Sequence, residues 1–236
     1  MRSAILGAVL ADQPEQRRAF VRASTRITHL DPRAEIAALA VAEAAAWIVG
    51  CSRGDEAPFA GTNPELPHAG CHQGALQSMR ISDDPEWLTI CGQLELSLQR
   101  GDSVETFAAG LGLTRGVTGY AFHTVPVALY AWLRHRGDFR GTLTAAIRCG
   151  GDTDTVAAIA GALAGCDVGV AGIPAEWRMN LTDWPRSPWH LSQLAEELAQ
   201  PDGQPIGWCW PGVLPRNLFF LAVVLCHGFR RLLPPY

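Results

Sequence analysis

The run Cys149-Gly150-Gly151-Asp152-Thr153-Asp154-Thr155 gathers side chains that could do chemistry. It joins two helical patterns, the glycine pair ending one and the acids opening the next. Asp152, Asp154 and the Thr155 hydroxyl would set three hard oxygen donors at a helix N-terminus. That donor set suits magnesium or manganese better than zinc. The glycines leave the main chain bare, so a ligand can come close to it. The same spacing also fits plain helix capping, with Asp152 as N-cap and Asp154 complementing the dipole. Residue types alone leave both readings open.

The elements that must position this loop read as helices almost throughout. Asp31-Pro32-Arg33-Ala34-Glu35 has the order of an N-cap, a first-turn proline and a first-turn acid. The alanine-rich stretch to Val49 that follows suits close helix–helix contact on more than one side. Further helices are expected at 85–100, 103–110, 125–136 and 139–149. Asp102 or Ser103 would cap the second of these and Thr124 the third, with Pro126 in its first turn. VAAIAGALAG (156–165) is a helix of small residues. Residues 50–74, rich in Gly and Pro, read as a loop excursion within one domain spanning 1–236. Strand signals are weak, so the expected fold is all-α and single-domain, around an aliphatic core.

Composition narrows the function. The 236 residues are 48% hydrophobic and 18% charged, with a formal net charge of −4, which excludes disorder. With no basic run, a nucleic-acid partner is not expected. All 19 basic residues are arginine, so Schiff-base, P-loop and general-base lysine chemistry are impossible. Seven cysteines without a CxxC read as small buried thiols in a reducing cytoplasm. The apolar run Leu218–Cys226 falls far short of a membrane span, and the tail that holds it reads as a buried core helix ending in basic residues, with a hydrophobic partner surface as the alternative. No membrane association is expected. The tryptophans at 177, 184, 189, 208 and 210 read as packing anchors. His68 and His72 have the i, i+4 spacing of a metal clasp, but their glycine-rich surroundings favour a loop.

Beyond single residues, GGDTDTVAAIAGALAG, then GIPAEW (172–177) and LTDWPRS (181–187), closely resemble the C-terminal half of the ADP-ribosylglycohydrolase family. VTGYAFHTVPVALYAW (117–132) is similar to the family's GY segment, and STRITHLDPRAE (24–35) to its T-H-x-D-P segment. Met1 to Gly7 resembles the end of its N-G-x-x-M-R-x-A-P-L-G loop. The resemblance implies an all-α orthogonal helical bundle with a binuclear magnesium (or manganese) centre. It also implies hydrolysis of the glycosidic bond of ADP-ribose on a protein side chain or a small derivative. Carried over by position, Asp152, Asp154 and Thr155 match the second metal motif. Gly150 and Gly151 match the backbone beside ADP-ribose, Tyr120 an aromatic near the ribose, and His29 the histidine of the T-H segment. His123, close to Tyr120, reads either as a substrate contact or as a hydrogen-bonded structural histidine.

One departure stands out. The family carries a first metal motif, T-D-D-T, upstream of the loop in which this chain begins, and no TDD occurs here. Ser82-Asp83-Asp84-Pro85 is out of order and reads as a helix cap. The resemblance therefore implies an N-terminally incomplete member with a partly bound metal and no assigned catalytic acid. Either a hydrolase or a catalytically weak ADP-ribose-binding or regulatory module is expected. Self-association through uncovered apolar surface is also expected.

Overall fold

The computed structural model describes residues 1–53, 69–181, 183–184, 187–200, 202–207 and 210–232. The fold is all-α: among the described residues there is no strand, and one isolated bridge joins Val117 to Gly151. The sequence reading treats 1–236 as one domain. The described residues gather into two compact units, Met1–Pro174 and Ala175–Tyr236, each taken by itself below.

In the first unit, α1 (Ser3–Val9), α2 (Pro14–Arg26), α3 (Pro32–Arg53) and α4 (Ala69–Met79) are followed by α5 (Pro85–Arg100) and α6 (Val104–Gly110). Then come α7 (Ala121–Arg134), α8 (Phe139–Arg148) and α9 (Thr153–Gly172). α3 packs against α1, α2, α4, α7 and α9, which is why Ala37, Ala40, Ala44 and Ala45 are all buried on one helix. A side chain at Gly7 would overlap the Ala42 carbonyl, so α1 lies directly on the α3 backbone. Aromatic contacts fill the centre: Trp47 meets Trp132 edge-on at 6.3 Å, and Phe107 stacks on Tyr130 at 4.3 Å. The Tyr130 hydroxyl donates to the Asp102 carbonyl at 2.8 Å, and burial pushes its pKa up to about 12.

Several local expectations need correction. α7 begins at Ala121, four residues early, and Pro126 lies inside it; the Thr124 hydroxyl bonds the Thr118 carbonyl at 2.8 Å. Ser103 does cap α6, accepting from Thr106 N at 3.1 Å. Ala69–Met79 is helical despite its glycines, and its bare Gly74 admits the Trp47 indole, whose Nε1 would stand 2.8 Å from a Cβ there. His68 lies outside the described residues, so its pairing with His72 does too.

The second unit contains α10 (Ala175–Met179), α11 (Pro188–Leu198), a 3₁₀ turn at Trp210–Gly212 and α12 (Val213–Leu232). The apolar run Leu218–Cys226 is therefore part of a longer helix, and no residue of α12 is buried. This overturns its reading as a core helix: the unit has too few neighbouring elements to surround it. Pro32–Arg53, Thr153–Gly172 and Trp210–Leu232 are long and apolar enough to cross a membrane by length and composition. Within the protein they are buried to very different degrees, 61%, 28% and 6% respectively. Trp184, Trp189 and Trp210 are exposed rather than packing anchors, and Cys226 is an exposed thiol. Among the described residues the buried tryptophans are Trp47, Trp87 and Trp132, in the first unit, and Trp208 lies outside the described residues.

Candidate functional site

The loop between α8 and α9 is held by its glycines. Gly150 and Gly151 both have positive φ, +69° and +77°, where L side chains are strained. Through them the chain turns back beside Gly116-Val117. Val117 N donates to the Gly150 carbonyl at 3.0 Å, and Asp152 N to the Val117 carbonyl at 2.8 Å. A side chain on Gly151 would overlap the Val117 carbonyl, whereas one on Gly150 would meet only Gly116 Cα, at 3.9 Å. The first glycine is open to a ligand, and the second is needed for the close approach of two backbones.

This brace fixes the acids. Asp152 occupies the N-cap position of α9, yet its carboxylate makes no cap bond; its Oδ1 accepts from the Thr155 hydroxyl at 2.8 Å. Asp154, exposed on the same turn, hydrogen-bonds with Asp152 and with backbone amides, which hold its carboxyl below the usual range. The three oxygen-bearing side chains thus converge. Simple capping does not account for Asp152. On the neighbouring segment, a Cβ at Gly119 would stand 3.6 Å from Asp152 Oδ2.

Tyr120 and His123 form the adjoining wall. Their rings meet edge-to-face with centroids 4.9 Å apart, and His123 Nδ1 is 2.8 Å from the Thr118 hydroxyl. The Tyr120 hydroxyl donates to Glu86 Oε1 at 3.5 Å, and Arg33 Nε pairs with Glu86 Oε2 at 3.1 Å. Desolvation and then the Glu86 charge raise the Tyr120 pKa, with a smaller push from Asp31. Arg33 and Glu86 are thus joined to the wall although nothing in their spacing marks them; the only local signal was their place in the first turns of α3 and α5. His29 is exposed and bonds its neighbour Thr28 through Nδ1 at 2.8 Å. Among the described residues, no hydrogen bond or ion pair links it to the acids. Asp84 caps α5, accepting from Trp87 N at 3.0 Å. Cys149, half-buried beside the glycines, has its thiol pushed up to about 11 by burial. Among the described residues, no group of three or more His, Cys, Asp and Glu side chains could hold a metal ion. Any ion here would rest on two carboxylates and a hydroxyl.

Comparison with known proteins gives a consistent result. A family model described as ADP-ribosylglycohydrolase matches residues 1–205. The chain is 31% identical over 129 residues to the ADP-ribosylarginine hydrolase Tri1 of Pseudomonas putida, covering 46% of this chain and 33% of that one. It is 37% identical over 70 residues to the ADP-ribosylhydrolase ARH3 of Homo sapiens, covering 25% and 19%. The corresponding protein of Danio rerio is 28% identical over 114 residues, covering 44% and 30%. The matched segments span a third or less of these relatives. No solved structure matches the chain.

Proposed function

This chain belongs to the ADP-ribosylglycohydrolase family, and from that premise we propose that it hydrolyses the glycosidic bond of ADP-ribose on a protein side chain or small derivative, with magnesium or manganese. The observation that carries this reading is the convergence of Asp152, Asp154 and Thr155 on the first turn of α9, beside Tyr120 and two bare glycines. The donor set fits a hard divalent cation: all oxygen, two carboxyl groups on one helical turn, and no thiolate or imidazole among them. Asp152, Asp154 and Thr155 would hold it. When bound, such a cation polarises ribose oxygens and lowers the pKa of water.

The protein's own groups do the positioning. The open face of Gly150 lets the sugar or phosphates approach the main chain. The Tyr120 ring, edge-on to His123 and tethered through its hydroxyl to Glu86, offers a fixed surface for the ribose. The Arg33–Glu86 pair keeps that tether charged and oriented.

Two carboxylates are few for tight binding of a divalent ion, which would stay largely hydrated. That donor count favours a second reading, in which the chain binds ADP-ribose with little or no turnover. Incubation of the purified chain with ADP-ribosylated arginine, serine and free derivatives, with magnesium or with chelator, tests both. Release of ADP-ribose that needs magnesium and is lost in Asp152→Ala supports the hydrolase. Calorimetric binding of ADP-ribose without release supports the module. Absence of both refutes the assignment.

A further inference from the structure

We infer that Thr118 fixes the tautomer of His123, so that the ring presents an Nε2–H donor to an oxygen of bound ADP-ribose. Resting on the reading of the site given above, this makes His123 a ligand contact and Thr118 a positioning residue.

The start of α7 holds both residues in place. Tyr120 occupies the N-cap position without a side-chain cap bond, and the His123 and Thr124 amides both donate to its carbonyl, at 2.9 and 3.0 Å. Thr118, two residues earlier, is held twice. Its carbonyl accepts from the buried Thr124 hydroxyl at 2.8 Å, and its own hydroxyl lies 2.8 Å from His123 Nδ1. Tyr120 confines the imidazole on a second side, edge-to-face with centroids 4.9 Å apart. The ring is therefore oriented by contacts at one nitrogen and one face.

The hydroxyl decides which nitrogen carries the proton. The Thr118 oxygen already accepts from the Tyr120 amide at 3.3 Å. Its hydrogen still needs an acceptor, and among the described residues His123 Nδ1 is the one in reach. With Nδ1 accepting, the proton of the neutral ring stands on Nε2. That N–H makes no hydrogen bond among the described residues, and it is not sealed from solvent. A histidine that served only to brace the wall would have both nitrogens satisfied. The donor also stands near the acids: on the segment between Thr118 and Tyr120, a Cβ at Gly119 would be 3.6 Å from Asp152 Oδ2. ADP-ribose carries acceptor oxygens on its riboses and its diphosphate, and a fixed N–H in the wall is matched to one of them.

Nitrogen magnetic resonance of the full chain, with isotope-labelled histidine, reads the tautomer above the ordinary imidazole pKa of about 6.5. The His123 signals are those absent from His123→Gln. A protonated Nε2 and a bare Nδ1 are expected, with the preference weakened in Thr118→Val and kept in Thr118→Ser. In calorimetry, ADP-ribose should bind about tenfold more weakly to His123→Ala, a difference of about 1.4 kcal/mol. Thr118→Val should weaken it about threefold, and Thr118→Ser should restore it. A proton on Nδ1, or an unchanged preference in Thr118→Val, overturns the inference. So does binding of ADP-ribose that His123→Ala leaves unaltered, in which case the wider reading of the site stands. Absence of binding to the unaltered chain overturns both.

Discussion

Gly151→Ala is the sharpest probe of the brace that holds the acids. The substitution acts in two ways. It forces a φ of +77° on a residue with a Cβ, at about 1–2 kcal/mol. It also drives that Cβ into the Val117 carbonyl, and relief by backbone movement costs about 1–3 kcal/mol. The shift strains the bonds from Asp152 N to Val117 O and from Val117 N to Gly150 O, each worth about 0.5–1.5 kcal/mol net. About 4 kcal/mol of destabilisation is expected. Gly150→Ala is the matched control: it has nearly the same φ, +69°, but its Cβ meets only Gly116 Cα at 3.9 Å. Its cost should be the conformational part alone, about 1–2 kcal/mol. Urea unfolding followed by near-ultraviolet circular dichroism compares the two, because Trp47, Trp87 and Trp132 of the first unit are buried. If the two variants unfold within about 1 kcal/mol of each other, the close approach of the two backbones is not what requires glycine, and the reasoning fails.

Two further outcomes are expected in the same unit. Arg17 and Glu43 form a buried pair at 2.6 Å, and Arg17 also caps the end of α1 through the Leu10 and Ala11 carbonyls. Glu43→Gln should cost about 3–5 kcal/mol, against less than about 1 kcal/mol for Glu95→Gln, whose pair with Arg80 is solvent-exposed; similar urea midpoints would refute the difference. His135 has its pKa lowered by burial and then by Arg134, so the unfolded chain takes up a proton there first. Its share of stability is present above the unfolded pKa of about 6.5 and lost as pH falls below it. His135→Gln should flatten the decline of the urea midpoint between neutral and mildly acidic pH, and an unchanged slope would remove His135 as its cause.

Local chemistry was legible wherever neighbouring residues settle it. Asp31 and Pro32 start α3 as their order predicts, with Arg33 N donating to Asp31 at 2.9 Å, and Ser103 opens α6. The alanines of α3 announced a helix packed on several sides. In the same way, Gly-Gly-Asp-Thr-Asp-Thr revealed a cluster of oxygen donors, because all of its members lie within one turn of chain. The wall of the site was not legible. Arg33, Glu86 and Tyr120 are dozens of residues apart and meet only because α3, α5 and α7 pack into one unit. Asp152 could equally have been a helix cap; the parallel approach of Gly151 to Val117 is what turned its carboxylate toward Thr155.

The C-terminal helix marks the same division from the other side. A run such as Leu218–Cys226 reads identically in a core and on a surface, because hydropathy records what a side chain prefers and not what is available to cover it. Ala-rich α3 found neighbours on every side, while α12 found one groove and left its leucines bare. Which helices exist follows from short-range propensity and capping, so the order of residues decides it. Which faces are covered, and which distant side chains share a site, depends on contacts across the whole chain, and only the folded molecule decides that.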